Sequence, residues 1–122
     1  MSTVTLTAQN FESTITAGGI VLVDFWAAWC GPCRQFAPVF EAASEQHSDV
    51  VFGKVDTEAE RALAGAANIT SIPTLMAFRD GILVFAQPGA LGARALDQVI
   101  QSVRDLDMDD VRARVEAQRA SA

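Results

Sequence analysis

Hydrophobic residues along this 122-residue chain form short continuous runs, separated by stretches in which polar and apolar positions mix. The runs predict five strands, over residues 3–6, 20–27, 50–56, 74–78 and 82–86. The run from Ile20 to Ala27 contains a single charged residue, which is typical of a strand buried on both faces. Asp80-Gly81, between the last two runs, predicts a tight hairpin.

Four helices are predicted between and after these strands, over residues 7–17, 33–47, 57–67 and 91–104. Thr7 is expected to cap the first helix, and Thr57 and Glu60 have the spacing of a capping box for the third. Pro38 lies in the middle of the second helix and should kink it. The order βαβαβαββα predicts an α/β fold whose sheet combines parallel crossovers with an antiparallel hairpin.

The last part of the chain, residues 105–122, has a different pattern. Its apolar residues form a thin stripe among acidic residues and arginines, namely Leu106, Met108, Val111 and Val115. We therefore predict one domain over residues 1–104 and a C-terminal extension over residues 105–122. Two interpretations of the extension stay open at this point: a partly frayed amphipathic segment, or a helix that packs on the domain or on a partner.

Composition and charge exclude several classes of function. Half of the residues are hydrophobic and 20% are charged, which is a globular composition. A net charge of -6 argues against binding nucleic acid, because neutralising phosphates requires clustered Lys and Arg. No apolar run approaches the ~20 residues that a transmembrane helix needs, and the N-terminus has no basic, apolar leader pattern. We therefore expect a cytoplasmic protein that does not bind membranes.

The two cysteines of the chain form the motif Cys30-Gly31-Pro32-Cys33, where the buried strand gives way to a helix. Cys30 can act as the helix N-cap, where unpaired N–H groups and the helix dipole favour a thiolate. Pro32 suits the first turn and Gly31 leaves the approach open, while Cys33 can resolve a mixed disulfide formed at Cys30. A zinc site would need ligands from a second subunit, since His47 is the one histidine. A purely structural disulfide would constrain few residues.

The sequence around these cysteines resembles the thioredoxin family. Residues 23–33 are similar to the family's active-site segment almost throughout. Shorter matches follow at Lys54-Val55-Asp56, Ser71-Ile72-Pro73-Thr74, Asp80-Gly81 and Gly89-Ala90. The resemblance covers roughly residues 3–104. It implies a five-stranded mixed sheet sandwiched between helices, and a protein-disulfide reductase that uses Cys30 and Cys33.

Two charged residues gain a role from this resemblance. Asp24 lies within an apolar run, where its protonated form is favoured. The resemblance implies that it lies beneath the disulfide and moves a proton to or from Cys33. Lys54 is the only lysine, and the resemblance places it close to Asp24, where it would oppose the rise in the aspartate's pKa. The alternatives are a carboxylate that binds nearby backbone donors, and an exposed lysine at a strand end.

The resemblance also implies a shallow substrate groove beside the cysteines. Its residues would be Trp29, Ile72, Pro73, Gly89 and Ala90, with a cis peptide bond before the proline. An extended target chain would pair there through main-chain hydrogen bonds.

Three residues depart from the family's usual pattern: Ala28, Arg34 and Pro88. The first two are expected to affect the redox potential and the choice of partner. Pro88 removes a backbone donor at the rim of the groove.

We expect the partners to be disulfide-containing target proteins and, as electron donor, a thioredoxin reductase. No metal and no cofactor besides the redox-active Cys30–Cys33 disulfide is expected, and the chain should be a monomer. Trp26 is interpreted as core packing and His47 as a surface residue of a helix. Two other functions stay open: a binding module that uses the groove without electron transfer, and a dedicated donor to one enzyme, selected through the extension.

Overall fold

The computed structural model describes residues 2–121, so Met1 and Ala122, which belong to the predicted domain bounds, lie outside the described residues. The strands are β1 (Thr3–Thr5), β2 (Ile20–Trp26), β3 (Val50–Asp56), β4 (Thr74–Arg79) and β5 (Ile82–Pro88). The helices are α1 (Phe11–Thr16), α2 (Gly31–Gln46), α3 (Arg61–Ala66), α4 (Ala93–Arg104) and α5 (Met108–Ser121). Within residues 2–121, no helix combines the length and apolarity that crossing a bilayer requires.

The strands form one five-stranded sheet in the order β1-β3-β2-β4-β5. β3 runs parallel to both β1 and β2, whereas β4 runs antiparallel to β2 and to β5. β2 is therefore the central strand, and its residues 21–25 are all buried. This confirms the mixed sheet and explains why β2 is an almost unbroken apolar run.

Helices cover both faces of the sheet, and side chains of β2 alternate between two cores. Leu22 packs with Phe36 and Phe40 of α2 and with residues of α4. Val21, Val23 and Phe25 belong to the other core, with Ile15 of α1. Because residues two apart on a strand share a face, Asp24 lies on the same face as Leu22, toward α2.

Two predicted helix starts differ from the structure. The Thr7 hydroxyl accepts from the Gln9 N–H at 3.2 Å as a cap would, but it caps a turn, and α1 itself begins at Phe11. In that turn the Asn10 Oδ1 accepts from the Thr7 N–H at 2.7 Å. α3 begins at Arg61, and no capping box forms at Thr57. The Thr57 hydroxyl donates instead to the Trp26 carbonyl at 3.0 Å, a contact between distant parts of the chain that local spacing does not reveal.

The extension is helical and is attached to the sheet. Met108, the first residue of α5, is buried. A guanidinium NH of Arg79 donates to the carbonyls of Val103, Arg104 and Leu106 at 2.8, 3.1 and 3.0 Å. Arg79 pairs with Ile20, the first residue of β2, so α5 starts at the end of the sheet opposite the cysteines. The boundary after residue 104 stays a prediction.

We expect the buried start of α5 to stabilise the domain more than its exposed remainder does. Deleting residues 105–122 should lower the free energy of unfolding by about 2–3 kcal/mol, because it removes a buried methionine side chain. Deleting only residues 113–122 should cost less than about 1 kcal/mol, because residues 113–121 are exposed apart from the half-buried Val115. Urea unfolding of the two truncated chains and the full chain measures both values. Equal costs would show that Met108 does not anchor the extension.

Candidate active site

The two cysteines lie at the junction between β2 and α2 and are joined by a disulfide, with 5.2 Å between their Cα atoms. Cys30 is the N-cap of α2, and its Sγ accepts a hydrogen bond from the Cys33 N–H at 3.2 Å. Gly31 and Pro32 form the first helical positions, where a missing proline N–H breaks no helical hydrogen bond. The predicted capping role of Cys30 is confirmed, and the helix dipole points its positive end at this sulfur.

Burial does not distinguish the two cysteines in the disulfide form. Cys30 is 4% exposed and Cys33 is 3% exposed. Their surroundings differ instead: the Cys30 sulfur receives the helical N–H and lies 3.7 Å from the Ile72 carbonyl oxygen. The side chain beside the pair, Trp29, is 66% exposed. The disulfide is thus bordered by an aromatic surface that a target protein can contact.

Asp24 is fully buried, and neither of its carboxylate oxygens has a hydrogen-bond partner within residues 2–121. Burial raises the pKa of this carboxyl to about 7, and the charge of Lys54 acts in the opposite direction. The alternative in which Asp24 binds nearby backbone donors is therefore wrong for this structure. A carboxyl with a pKa near neutrality can both take up and release a proton at physiological pH.

Lys54 is positioned by the pairing of β3 with β2, in which it stands opposite Asp24. It is half-buried, and its Nζ lies 5.0 Å from the centre of the Trp26 ring. An ammonium at that distance from an indole face is stabilised by a cation–π interaction. Lys54 is therefore not simply an exposed residue at a strand end, and Trp26 does more than fill the core.

The loop before β4 lies against the disulfide. The Ile72–Pro73 peptide bond is cis, as the resemblance implies, and Ile72 packs against both cysteines. The Pro73 carbonyl accepts from the Gly89 N–H at 2.8 Å. Pro88 is the last residue of β5, pairs with Thr74 and has no backbone N–H to donate. Gly89, the next residue, supplies the donor at this rim through its bond to the Pro73 carbonyl. Ala90 is exposed beyond Gly89.

The Thioredoxin family model matches residues 2–102 of this chain, which include the disulfide, Asp24, Lys54 and the cis proline. The chain belongs to the thioredoxin family. Thioredoxins are thiol–disulfide oxidoreductases, and the Cys30–Cys33 disulfide is the redox couple of this member.

Individual thioredoxins agree with this assignment. The chain is 59% identical over 121 residues to a putative thioredoxin 2 of Streptomyces coelicolor, covering 99% of this chain and 90% of that protein. It is 39% identical to a thioredoxin of Bacillus subtilis, covering 82% and 96% of the two chains. Among solved structures, a Plasmodium falciparum thioredoxin superposes with a TM-score of 0.75 at 36% identity, covering 82% of this chain and 97% of that one.

His47 lies outside the thioredoxin site. It follows the last residue of α2, about 24 Å from the cysteines at 1.5 Å per residue. Its ring contacts Asp97 at 3.3 Å and Arg104 at 3.0 Å, both on α4. The sequence did not predict two contacts at the site, those between Lys54 and the Trp26 ring and between Arg34 and the Ala28 carbonyl. The one indication in the sequence is that Trp26, Ala28 and Arg34 lie within a few residues of the cysteine motif.

The buried carboxyl should make stability depend on pH. Between about pH 4 and pH 7 the folded state keeps the Asp24 proton that an unfolded chain releases, so the Asp24 contribution to stability falls as the pH rises. Asp24→Asn removes this dependence. Its stability advantage over the unmodified chain should grow by up to about 1.4 kcal/mol per pH unit in that range and level off above it.

Urea unfolding of the oxidised proteins from pH 5 to pH 8 measures this difference. Asp109→Asn, at a side chain 99% exposed, is the matched control and should change stability by no more than about 0.5 kcal/mol. A difference between Asp24→Asn and the unmodified chain that stays constant across this range would contradict the assignment.

Proposed function

We propose that this chain reduces disulfides in other proteins, with Cys30 as the attacking sulfur and Cys33 as the resolving one. The observation that carries the assignment is the hydrogen bond from the Cys33 N–H to the Cys30 sulfur at the start of α2. A donor and a helix dipole directed at one sulfur favour its thiolate, and the thiolate is the nucleophile. Cys33 lies inside the first turn and receives no such bond in the residues described.

The first step consumes a target disulfide. The Cys30 thiolate attacks one target sulfur, the target S–S bond breaks, and the second target sulfur leaves as a thiolate that takes up a proton. A mixed disulfide between Cys30 and the target remains. The Ile72 carbonyl lies 3.7 Å from the Cys30 sulfur, and its main chain can pair with an extended target. Trp29, Pro73, Gly89 and Ala90 are the other proposed residues of this groove.

The second step releases the target. Cys33 loses its proton and attacks the Cys30 sulfur; the mixed S–S bond breaks, and the Cys30–Cys33 disulfide forms as the target leaves with two electrons. Asp24 acts as the base for Cys33, because it lies on the α2 face of the sheet with a pKa near 7. Lys54 stands beside it and stabilises the carboxylate formed.

The oxidised chain then needs electrons from a partner. It has two cysteines, both in the disulfide, and no glycine-rich nucleotide motif. A flavoprotein thioredoxin reductase that uses NADPH is the proposed donor, and no cofactor besides the disulfide is required. Such recycling belongs in a reducing compartment, and we propose the cytoplasm. We propose that the chain acts as a monomer, because each step uses residues of one chain.

The distinct roles of the two cysteines can be tested by trapping targets. Cys33→Ser should accumulate disulfide-linked adducts with target proteins through Cys30, because no sulfur remains to resolve them. Cys30→Ser should trap almost none. Iodoacetamide at pH 7 should alkylate Cys30 roughly ten times faster than Cys33 in the reduced protein, as expected for about one unit of difference in thiol pKa.

Mass spectrometry of adducts from a cell lysate compares the two variants side by side. The variant with both cysteines replaced by serine is the control, and it should neither trap targets nor catalyse insulin reduction by dithiothreitol. Equal trapping by the two single variants would contradict the distinct roles of the two cysteines. Faster alkylation of Cys33 would contradict the assignment of Cys30 as the attacking sulfur. Insulin reduction that survives in the double variant would contradict the proposed activity as a whole.

A further inference from the structure

A small cavity reaches Cys33 from the side of α2 that faces β3. Its volume is about 100 Å³, and its lining includes Trp26, Ala28, Cys33, Arg34 and Lys54. Cys33 is buried, Trp26 and Lys54 are half-buried, and Ala28 and Arg34 are exposed. The cavity therefore runs from an exposed rim formed by Ala28 and Arg34 to the resolving sulfur.

The lining of this cavity suits water. Water occupies about 30 Å³ in the liquid, so the volume accommodates a few molecules. Trp26 supplies a buried Nε1–H that has no hydrogen-bond partner among the described residues. Lys54 and Arg34 add further donors, and such polar groups hold water in protein interiors. The cavity thus places polar groups beside Cys33.

Arg34 closes the rim of this cavity. One guanidinium NH of Arg34 donates to the Ala28 carbonyl at 3.2 Å, so the side chain reaches back from α2 across the start of the helix. The backbone N–H of Arg34 also donates to the Cys30 carbonyl at 3.2 Å. These two bonds tie the loop before Cys30 to the first turn of α2. Arg34 therefore contacts the main chain of Ala28, the other residue near the cysteines that departs from the family pattern.

The charges around Cys33 are mainly positive. The cavity lining contains two cations, Arg34 from α2 and Lys54 from β3, and no carboxylate. Asp24 of β2 stands opposite Lys54 and is the acidic group on this face. A cation near a sulfur favours the thiolate over the thiol, and its effect is larger where water is scarce.

We propose that Arg34 is a positioning residue for target release: its bond to the Ala28 carbonyl holds the guanidinium beside the cavity of Cys33, where the charge favours the resolving thiolate. This inference rests on the proposed function, in which Cys33 gives its proton to Asp24 and displaces the target sulfur from Cys30. The guanidinium of Arg34 bonds to the Ala28 carbonyl and acts on Cys33 through its charge. Its effect should therefore fall on the second step more than on the first.

The two steps can be timed separately with dithiobis(nitrobenzoate), an aromatic disulfide that releases a coloured thiol. With reduced protein in excess, attack by Cys30 releases one nitrothiobenzoate at a rate proportional to protein concentration. Attack by Cys33 on the mixed disulfide releases the second at a rate independent of protein concentration. Stopped-flow absorbance between pH 6 and pH 9 gives both rates for each variant.

Arg34→Gln should slow the second release about 3- to 10-fold at pH 7 and move its pH profile to higher pH, while changing the first release less than about twofold. Arg34→Lys keeps the charge and should retain most of the second rate. Arg114→Gln is the matched control, at a side chain 78% exposed on α5, and should leave both rates unchanged. Thermal unfolding of each variant verifies that it is folded.

Three results would overturn the role of Arg34: an unchanged second release in Arg34→Gln, an equal slowing of both releases, or a lysine variant as slow as the glutamine variant. A different variant tests the proposed function. Cys33→Ser should abolish the concentration-independent second release and leave only a slower one, by Cys30 of another molecule, that rises with protein concentration. A concentration-independent second release in this variant would contradict the resolving role of Cys33 whatever Arg34 does. If the unmodified chain shows the second release and Arg34→Gln does not slow it, the role of Arg34 is wrong while the proposed function stands.

Discussion

The burial of β2 between β3 and β4, with helices on both faces, is the constraint on which the site depends. A strand in that position alternates strictly between two cores, so Leu22 and Asp24 face α2 while Val21, Val23 and Phe25 face the other side. The same strand ends where α2 begins, and this junction places Cys30 at the N-cap. The acid, the helix dipole and the reactive sulfur are thus arranged by the path of one strand.

The buried acid in this arrangement lowers the stability of the folded state. A buried carboxyl without hydrogen-bond partners destabilises the folded state whenever it is ionised, and burial raises the pKa of Asp24 to about 7 for that reason. Lys54 opposes the shift only in part, because the desolvation of the carboxyl outweighs the charge of the lysine. Proteins retain such unfavourable groups mainly at functional sites, where a proton must be exchanged near neutral pH.

The opposite end of the sheet has a structural role. The turn between β4 and β5 binds other elements through two neighbouring side chains. Arg79 donates to three carbonyls at the end of α4 and the start of the extension, while Asp80 accepts from the Gly19 N–H at 3.0 Å and pairs with Arg112 of α5 at 3.1 Å. Because these contacts lie at the start of β2, the extension is attached without covering the disulfide.

Features that depend only on neighbouring residues could be predicted from the chain alone. The apolar run of β2, the Asp80-Gly81 hairpin and the capping position of Cys30 all follow from local spacing, and they are present in the structure. Local spacing failed at Thr57, whose hydroxyl bonds to the distant Trp26 carbonyl, and it placed the start of α1 too early, at Thr7 rather than Phe11.

The pairing of the strands determines which distant residues meet. Ile72 lies beside Cys30 because β4 pairs with β2, and Lys54 lies over Trp26 because β3 pairs with the other edge of the same strand. The family resemblance anticipated the first of these neighbours, but composition and periodicity could not. Strand order is set by the burial of whole faces of the sheet, and no short segment of the chain contains that information.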